Sequence, residues 1–434
     1  MTPAFERARE LFFEGNAHME AGRLTDAERC YAAALQAMPG RPSVLTNLGA
    51  VRLRLGRAAD ALPLLETAVA AEPDNLEAWG HLAVALGDLG RPEEAIQADD
   101  RALALNADAA PVWRHRGVMQ QRLQRDEDAL ASFAALVRLL PERADPWLLH
   151  GEALIRLRRP DEAQASFERA LAIDPDIGAA WSRLGAIFKE QGKREEAIDA
   201  LQRAISLGDA RELNGFLLAS VTGRKAPLHA PTDYVQSLFD DYADEFDSHL
   251  VDVLNYRGHE RLIAGLATHA PGRHYARGLD LGCGTGLCAP LLAPLVDSLD
   301  GVDLSGRMVE KARARGGYRE VSRGDLAAYL ARTPERYDLV VSADVLLYVG
   351  DLAQVFDGVQ RVLRPDGVFC FTAERGEDDT DVVLLPRLTY AHSEKYLRNM
   401  ALRHGLQVLA IEQHPIREDQ GEPIPGLYVY VARR

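Results

Sequence analysis

The stretch Asp280-Leu281-Gly282-Cys283-Gly284-Thr285-Gly286 decides the fold of the second half of this chain. It follows the short run Arg277-Gly278-Leu279, which predicts the end of a strand, and it precedes a helical pattern at residues 287–296. Glycines allow the backbone to approach a ligand closely, and a helix N-terminus offers unpaired N–H groups. The stretch therefore predicts a strand, a turn and a helix around a polar, nucleotide-like ligand.

Short apolar runs and helical patterns alternate from this stretch to the C-terminus. Such alternation predicts a doubly wound α/β domain with a mostly parallel, seven-stranded sheet. The last two strands are not separated by a helix, which predicts an antiparallel closing strand. The predicted strands are 278–281, 298–302, 319–322, 337–342, 367–372, 406–413 and 427–432, and the predicted helices are 287–296, 306–315, 325–332, 352–362 and 393–404.

Three glycines alone do not identify the ligand. The dinucleotide-binding pattern requires Gly or Ala where Leu287 stands, and the Walker phosphate loop requires a Gly-Lys-Ser/Thr that is absent here. A carboxylate at Asp280 would repel a pyrophosphate and attract a cationic or zwitterionic ligand. A Rossmann dehydrogenase is therefore the weaker alternative.

The glycine stretch resembles the first motif of class I S-adenosylmethionine-dependent methyltransferases, and residues 301–305, 324–326, 337–344 and 363–369 resemble the motifs that follow in that family. The resemblance implies S-adenosylmethionine as the cofactor. It implies that Asp303 accepts the ribose hydroxyls, that Asp325 accepts the adenine amino group and that Met308 packs on the adenine. The implied cofactor-binding residues are Asp280, Gly282, Cys283, Gly284, Gly286, Asp303, Leu304, Met308, Asp325, Leu326, Ala343 and Tyr242.

Large side chains follow one helical face ahead of the glycine stretch. Tyr234, Leu238, Tyr242 and Phe246 recur every four residues. This face either packs on the sheet as core or covers the cofactor. The family resemblance implies a lid in which Tyr242, with Phe239 or Phe246, closes over the donor.

A general base is needed only where the acceptor is protonated at neutral pH. The candidate catalytic residues are Asp344, His392 and Tyr348, although a histidine that precedes a helix also fits a purely structural role. The predicted substrate-binding residues are Tyr234, Phe246, His249, Tyr348, Tyr390 and Tyr396. The acidic loop 373–392 either favours a cationic acceptor or is a solvated loop.

The first half of the chain repeats with a period of 34 residues, with small residues, tryptophans and closing prolines at fixed positions. This pattern resembles the tetratricopeptide repeat (TPR). The predicted units are 8–41, 42–75, 76–109, 110–143, 144–177 and 178–211. They imply an all-α TPR solenoid, and Asp99 departs from the pattern because a large apolar residue is usual there.

These patterns predict three segments: a TPR solenoid with a capping helix at 8–222, a linker at 223–231, and a methyltransferase domain with an N-terminal helical lid at 232–434. The solenoid resemblance implies a groove for a protein or peptide. We expect Asn16, Asn47 and Lys189 to face the groove. Four arginines either hold an acidic partner there or are ordinary solvated side chains: Arg54, Arg114, Arg122 and Arg156.

Composition disfavours several of the functional classes that remain open. The net charge of −15 disfavours a general nucleic-acid binder. Four scattered cysteines predict a reduced, cytoplasmic protein without a metal site. No apolar run reaches about 20 residues, and the N-terminus lacks the core of a signal peptide, so no membrane span is expected.

Nearly the whole chain thus resembles bacterial methyltransferases that carry TPR repeats. One hypothesis is a methyltransferase whose repeats recruit a protein, peptide or carrier-bound acceptor. A second is a small-molecule O- or N-methyltransferase whose repeats mediate oligomerisation or localisation. A third is an interaction scaffold whose domain binds the donor without turnover, which the intact acids Asp280, Asp303 and Asp325 disfavour.

Overall fold

The computed structural model describes residues 3–223, 226–250, 254–419 and 421–434. Two compact units divide the chain, Met1–Gln191 and Gly192–Arg434. The division falls earlier in the chain than the domain boundary predicted after residue 222. Arg224 and Lys225 of the predicted linker, and residues 251–253 behind the predicted lid, lie outside the described residues.

The first unit is helical, and each of the first five predicted repeats contributes a pair of consecutive helices that pack on each other. This confirms the solenoid repeats. The helices are α1 (Pro3–Glu20), α2 (Leu24–Ala37), α3 (Pro42–Arg54), α4 (Ala58–Ala71), α5 (Leu76–Asp88), α6 (Pro92–Leu105), α7 (Ala110–Arg122), α8 (Asp126–Leu139), α9 (Ala144–Arg156), α10 (Pro160–Ile173) and α11 (Gly178–Glu190).

The tryptophans share one phase because each fixes the turn that leads into its own helix. The indole N–H of Trp147 donates to the carbonyl of Pro141, six residues earlier, at 2.9 Å. The same bond recurs from Trp79, Trp113 and Trp181 at 2.8 to 2.9 Å. Ala107 accepts the bond in the unit that lacks the closing proline, because only its backbone oxygen is used.

In four of the first five repeats, a glycine makes room for a large residue sixteen positions later. A Cβ at Gly151 would lie 2.6 Å from the ring of Phe167. In the third repeat the large residue is replaced by Asp99, which is fully buried and lies 2.8 Å from Nδ1 of His115 in the next repeat. A histidine thus partners the buried acid that breaks the pattern.

The described residues of the second unit include ten α-helices and one 3₁₀ turn. The helices are α12 (Arg194–Ser206), α13 (Arg211–Thr222), α14 (Thr232–Tyr242), α15 (Phe246–Ser248), α16 (Gly258–His269), α17 (Ala289–Leu292), α18 (Gly306–Arg315), α19 (Leu326–Arg332), α20 (Ala353–Val362) and α21 (Glu394–Arg403), and the turn is Leu346–Tyr348. Helix α17 is shorter than the predicted helix at 287–296.

One sheet carries the nine strands of the described residues. They are β1 (Gly278–Leu281), β2 (Leu299–Asp303), β3 (Glu320–Arg323), β4 (Tyr337–Ser342), β5 (Leu363–Arg375), β6 (Val382–Leu384), β7 (Tyr390–His392), β8 (Leu406–Asp419) and β9 (Glu422–Arg433). Strands β3, β2, β1, β4 and β5 are neighbours in that order and parallel. Strand β9 runs antiparallel to both β5 and β8, as the sequence predicts.

Seven of these strands match the prediction, and the hairpin β6–β7 does not. The hairpin lies within residues 373–392, which were expected to be a loop, and β7 pairs with the end of β5. Each of its strands has three residues, so neither produces a recognisable alternation. The prediction of an uninterrupted loop was therefore wrong.

Both faces of the sheet are covered. Along β4, Val340 packs with Phe356 of α20, whereas its neighbours Leu339 and Val341 pack with Leu262 of α16 on the other face. A strand buried on both faces reads as a continuous apolar run, which β4 shows. This packing holds the carboxyl ends of β1, β2, β4 and β5 along one edge.

Candidate functional site

The glycine stretch forms the turn that leaves β1. Gly282, Gly284 and Gly286 have φ values of 81°, 53° and 90°, in the left-handed region that favours glycine. A Cβ at Gly282 would also lie 2.5 Å from Val345. The sequence therefore requires glycine at these positions for the backbone conformation as well as for access.

Asp303 ends β2 beside this turn because β1 and β2 are parallel neighbours. Its carboxylate accepts the backbone N–H groups of Gly284 and Ser305, each at 2.9 Å. Burial raises the pKa of Asp303, and these backbone hydrogen bonds oppose the rise. The acid predicted to hold the ribose thus lies against the glycine turn.

Asp280 is buried beneath the turn with one oxygen engaged. The hydroxyl of Tyr318 donates to that oxygen at 2.7 Å, and the other oxygen has no hydrogen-bond partner among the described residues. Burial raises the pKa of Asp280 to about 7, and the nearby Asp303 contributes to the rise, whereas the bond from Tyr318 lowers it. An enclosed carboxylate with a free oxygen suits a ligand that carries a positive charge.

The remaining predicted cofactor residues lie along β2, β3 and the helices after them. Asp325 is exposed and caps α19 by accepting the N–H of Ala328 at 2.8 Å. Met308 is fully buried in the first turn of α18, and Leu304 lies between it and Asp303. Their roles, with those of Leu326, Cys283 and Ala343, stay predictions.

Phe246 of the predicted lid lies beside the glycine turn, and Tyr242 and Phe239 pack around it. The ring of Phe246 would be 3.9 Å from a Cβ at Gly284. Its centroid lies 5.5 Å from Tyr242 and 6.0 Å from Phe239, and Phe239 lies 5.4 Å from Tyr348. We call Phe239, Tyr242, Phe246 and Tyr348 the aromatic cluster.

His249 joins the edge of the aromatic cluster, 5.3 Å from the ring of Tyr242. The hydroxyl of Tyr242 and Nδ1 of His249 are both buried without a hydrogen-bond partner among the described residues. Two unused polar atoms at the aromatic cluster could contact a bound ligand. The structure thus brings together Tyr242, Phe246, His249 and Tyr348 from the predicted site.

Acids on the lid segment contact bases on α18, which the sequence reasoning missed. Asp244 lies 3.1 Å from Nζ of Lys311 and also pairs with Arg307. Asp247 accepts hydrogen bonds from Arg315 and from the hydroxyl of Thr285 in the glycine stretch. Acids at 240, 244 and 247 and bases at 307, 311 and 315 share a helical spacing, and this was the available signal.

Asp344 has a φ of 57° and lies in a buried ionic cluster rather than free in a pocket. One terminal nitrogen of Arg417 donates to both of its oxygens, at 2.6 and 2.8 Å, and the other donates to Glu374 at 2.7 Å. Arg387 and Thr389 also donate to Glu374. Burial raises the pKa of Asp344, and the charge of Arg417 opposes the rise. These contacts leave Asp344 poorly available as a base.

His392 is fully buried and bonds to the backbone that directly follows Tyr348 of the aromatic cluster. Its Nε2 lies 3.0 and 3.1 Å from the carbonyls of Val349 and Gly350, so this nitrogen carries the proton and donates. Burial lowers the pKa of His392 to about 4. Nδ1 is enclosed without a partner among the described residues. The ring is neutral at neutral pH, and its catalytic role stays a prediction with little support.

Tyr234, Tyr390 and Tyr396 complete the predicted substrate residues, and Tyr234 and Tyr390 pack in one apolar cluster with Tyr348. Tyr390 is 1% exposed and donates to the carbonyl of Pro227 at 2.9 Å. Its ring and that of Tyr234 pack on Phe216 of α13. Tyr396 stacks on His392 at 5.6 Å and accepts the N–H of Leu352. Tyr390 is therefore a buried core residue, whereas Tyr234 and Tyr396 are partly exposed, and the substrate roles of all three stay predictions.

A cavity of about 450 Å³ lies among the first helices of the repeats in the first unit. Asn16 and Asn47 line it together with Leu53 and Val84. Oδ1 of Asn16 accepts hydrogen bonds from the hydroxyl of Tyr31 at 2.6 Å and from Asn47 at 3.1 Å. The predicted groove residues Asn16 and Asn47 thus share one hydrogen-bonded wall.

The four groove arginines differ in their contacts. Arg156 pairs with Asp126 at 2.6 Å, Arg122 donates to the carbonyl of Gly87, and Arg54 lies 3.2 Å from the sulfur of Met19. Arg114 is exposed. The helices of the described residues lack the combination of length and apolar surface that a membrane crossing requires.

Comparison with known proteins identifies both parts of the chain. Residues 279–371 match the family model described as a methyltransferase domain. Residues 14–65, 46–110, 82–144 and 148–212 match the family model described as a tetratricopeptide repeat. The chain carries TPR repeats followed by a methyltransferase domain. The cofactor that such a domain implies is S-adenosylmethionine.

Several relatives match this chain over part of their own length. Methyltransferase-like protein 27 of Homo sapiens is 34% identical over 36% of this chain and 66% of its own. "Probable S-adenosylmethionine-dependent methyltransferase" of Mycolicibacterium smegmatis is 35% identical over 26% and 43%. Malonyl-[acyl-carrier protein] O-methyltransferase of Salmonella typhimurium is 30% identical over 33% and 57%. The chain therefore spans less than two thirds of these relatives.

Proposed function

We propose that this protein transfers a methyl group from S-adenosylmethionine to a protein, peptide or carrier-bound acceptor that the TPR repeats recruit. The choice of S-adenosylmethionine as the methyl donor rests on one observation: Asp280 is buried under a glycine turn and one of its oxygens has no partner among the described residues. That arrangement fits the donor, which is zwitterionic in its methionine part and carries a cationic sulfonium.

Several side chains fit the donor by their chemistry. Asp280 offers its free oxygen to the ammonium group, and Asp303 offers the ribose hydroxyls a carboxylate already oriented by two backbone N–H groups. Asp325 is exposed beyond β3 for the adenine, and the aromatic cluster excludes water from the transfer site. When bound, S-adenosylmethionine supplies a methyl group that its sulfonium has already activated.

The acceptor side supports a nucleophile that needs little help from a base. Asp344 is engaged by Arg417, His392 is neutral with its N–H used, and burial raises the pKa of Tyr348. Each of these groups is a poor proton acceptor at neutral pH. A carboxylate, or another group that is deprotonated before it binds, fits this environment best.

The cavity beside Asn16 and Asn47 supports recruitment of a peptide by the repeats. Amide side chains both donate and accept, so they suit the backbone of an extended chain, while Leu53 and Val84 suit an apolar side chain. The acidic character of the partner stays a prediction that rests on Arg54 and Arg114, because Arg122 and Arg156 already have partners in the repeats.

A small-molecule acceptor is the second candidate, with the repeats serving oligomerisation or localisation. The aromatic cluster favours it, because enclosing rings suit a flat or apolar small substrate. For either acceptor we propose a cytoplasmic protein, in keeping with four free cysteines.

Incubating the full-length protein with cell lysate and radiolabelled S-adenosylmethionine tests the proposal. We expect label in the macromolecular fraction, and we expect the double variant Asn16→Ala/Asn47→Ala to lose most of it while binding the donor normally. Asn106→Ala, at an exposed asparagine of the repeats, is the matched control. Label confined to small molecules would favour the second candidate, and absence of donor binding would reject both.

A further inference from the structure

Tyr318 connects the loop before β3 to the floor of the donor site. Its hydroxyl donates to Asp280 at 2.7 Å, across 38 residues of sequence. The other oxygen of Asp280 is the one without a partner among the described residues. A single phenol therefore fixes the plane of the carboxylate and determines which oxygen remains available.

Two glycines leave the space that the ring of Tyr318 occupies. A Cβ at Gly301 of β2, or at Gly286 of the glycine turn, would lie 3.1 Å from ring atoms of Tyr318. Gly286 is also held at a φ of 90°. The ring thus fills the space between β2 and the turn, and it packs with Val309, Ala312 and Val321.

Among the described residues, only Tyr318 donates a hydrogen bond to Asp280. The other described ionisable groups near Asp280 are an acid and three thiols. Asp303 approaches from β2 and raises the pKa of Asp280. Burial raises the pKa of each neighbouring thiol well above its usual range, so Cys283, Cys288 and Cys370 stay neutral. Burial also raises the pKa of Tyr318, which keeps its proton and always donates.

We propose that Tyr318 is a positioning residue of the donor site, which holds Asp280 so that its free oxygen accepts a hydrogen bond from the ammonium group of S-adenosylmethionine. The proposal rests on the proposed function, because it assigns the donor to this pocket. Tyr318 touches the carboxylate and acts on the donor only through it. The amino-acid part of the donor is recognised this way, whereas the nucleoside part is not.

Calorimetry on the full-length protein with two ligands tests the proposal. S-adenosylhomocysteine carries the ammonium group, and 5′-methylthioadenosine lacks the whole amino-acid part. We expect Tyr318→Phe to weaken S-adenosylhomocysteine about tenfold near neutral pH and to leave 5′-methylthioadenosine unchanged. Tyr430→Phe is the matched control, because the phenol of Tyr430 is buried and donates to the carbonyl of Leu262 outside the donor site.

The pH dependence separates positioning from loss of structure. Asp280 binds an ammonium group only when ionised, so affinity falls as the pH drops through its pKa of about 7. The bond from Tyr318 lowers this pKa, so Tyr318→Phe moves the fall in affinity to higher pH. When Asp280 is already replaced by Asn, Tyr318→Phe should change the affinity for S-adenosylhomocysteine little further. Neither Asp280→Asn nor the double variant should lose affinity as the pH drops through about 7.

Two results would overturn the proposal: unchanged affinity for S-adenosylhomocysteine at every pH, or equal losses for both ligands, which would mean that Tyr318 supports the turn as a whole. Failure of the unsubstituted protein to bind either ligand would instead reject the proposed function, and the assignment of Tyr318 with it.

Discussion

Arg417 of β8 donates from one nitrogen to both oxygens of Asp344, which follows β4. Its other terminal nitrogen reaches Glu374 near the end of β5, so one guanidinium joins three strands at the edge that carries the site. Arg417 and Asp344 are each 12% exposed in their side chains, and Glu374 is fully buried. Each of these buried charges is therefore stabilised by its opposite partner in the cluster.

Replacing Arg417 with Met should therefore destabilise the protein by about 3 to 5 kcal/mol, because two acids would be left buried without their shared partner. The loss of unfolding free energy caused by Arg417→Met should be smaller at acidic pH. Without Arg417 the raised pKa of Asp344 rises further, and protonation removes the uncompensated charge. Denaturant unfolding measures both effects. Arg398→Met, which breaks a largely exposed pair with Glu394, should cost less than about 1 kcal/mol. Equal costs for the two variants would contradict the prediction.

The ion pairs between the lid segment and α18 should slow release of the donor. Asp247 bonds to Thr285 in the glycine stretch and to Arg315, so Asp247→Asn weakens the contact between lid and turn. We expect S-adenosylhomocysteine to dissociate about threefold to tenfold faster, and we expect high salt to reduce the difference. Asp233→Asn, at an exposed acid in the first turn of α14, is the control. A dissociation rate equal to that of the control would exclude a role for this pair.

The arrangement of Asp280, the glycine turn and Asp303 could be predicted from the sequence because each part of it is local, and donor binding there stays a prediction. Asp280 and the glycines lie in one stretch, and Asp303 ends the next strand, so parallel pairing alone brings them together. Tyr242 and Phe246 share a helical spacing in the sequence, but α14 ends at Tyr242 and α15 begins at Phe246. The continuous helical face was therefore predicted wrongly, and the lid stays a prediction. Its ion pairs were not predicted, although the spacing of both charge series was visible.

The acceptor side could not be predicted, because its contacts join distant positions. Arg417 meets Asp344 across 73 residues, and no local pattern marks an arginine in a long strand as buried. The substrate roles of Tyr390 and Tyr396 stay predictions for a related reason. An aromatic residue near a strand end suits a pocket or a core equally, and the ring of Tyr390 packs on Phe216 of α13.

The close approach of helices within a repeat gives a prediction for the solenoid. A Cβ at Gly151 would lie 2.6 Å from the ring of Phe167, so Gly151→Ala should destabilise the first unit by about 1 to 3 kcal/mol. Adding Phe167→Leu should recover part of the loss, because the smaller side chain frees the space. Gly215→Ala in α13 meets nothing within 4 Å and should be neutral or mildly stabilising. Thermal unfolding compares the three variants, and a harmless Gly151→Ala would refute the packing argument.

His392 gives the protein a pH-dependent stability whose sign follows from its burial. Burial lowers the pKa of His392 from 6.5 to about 4, so between these values the unfolded chain binds a proton that the folded protein does not. Stability should fall as the pH drops through this window, by about 3 kcal/mol at most from this residue.

The variant His392→Gln tests this pH dependence. Gln keeps an N–H donor for the carbonyls of Val349 and Gly350 but does not titrate. The free energy of unfolding of His392→Gln should therefore decline less between pH 6.5 and 4 than that of the unsubstituted protein. His274→Gln, at a largely exposed histidine, should leave the decline nearly unchanged. Parallel pH profiles for His392→Gln and the unsubstituted protein would show that His392 is not held neutral in the fold.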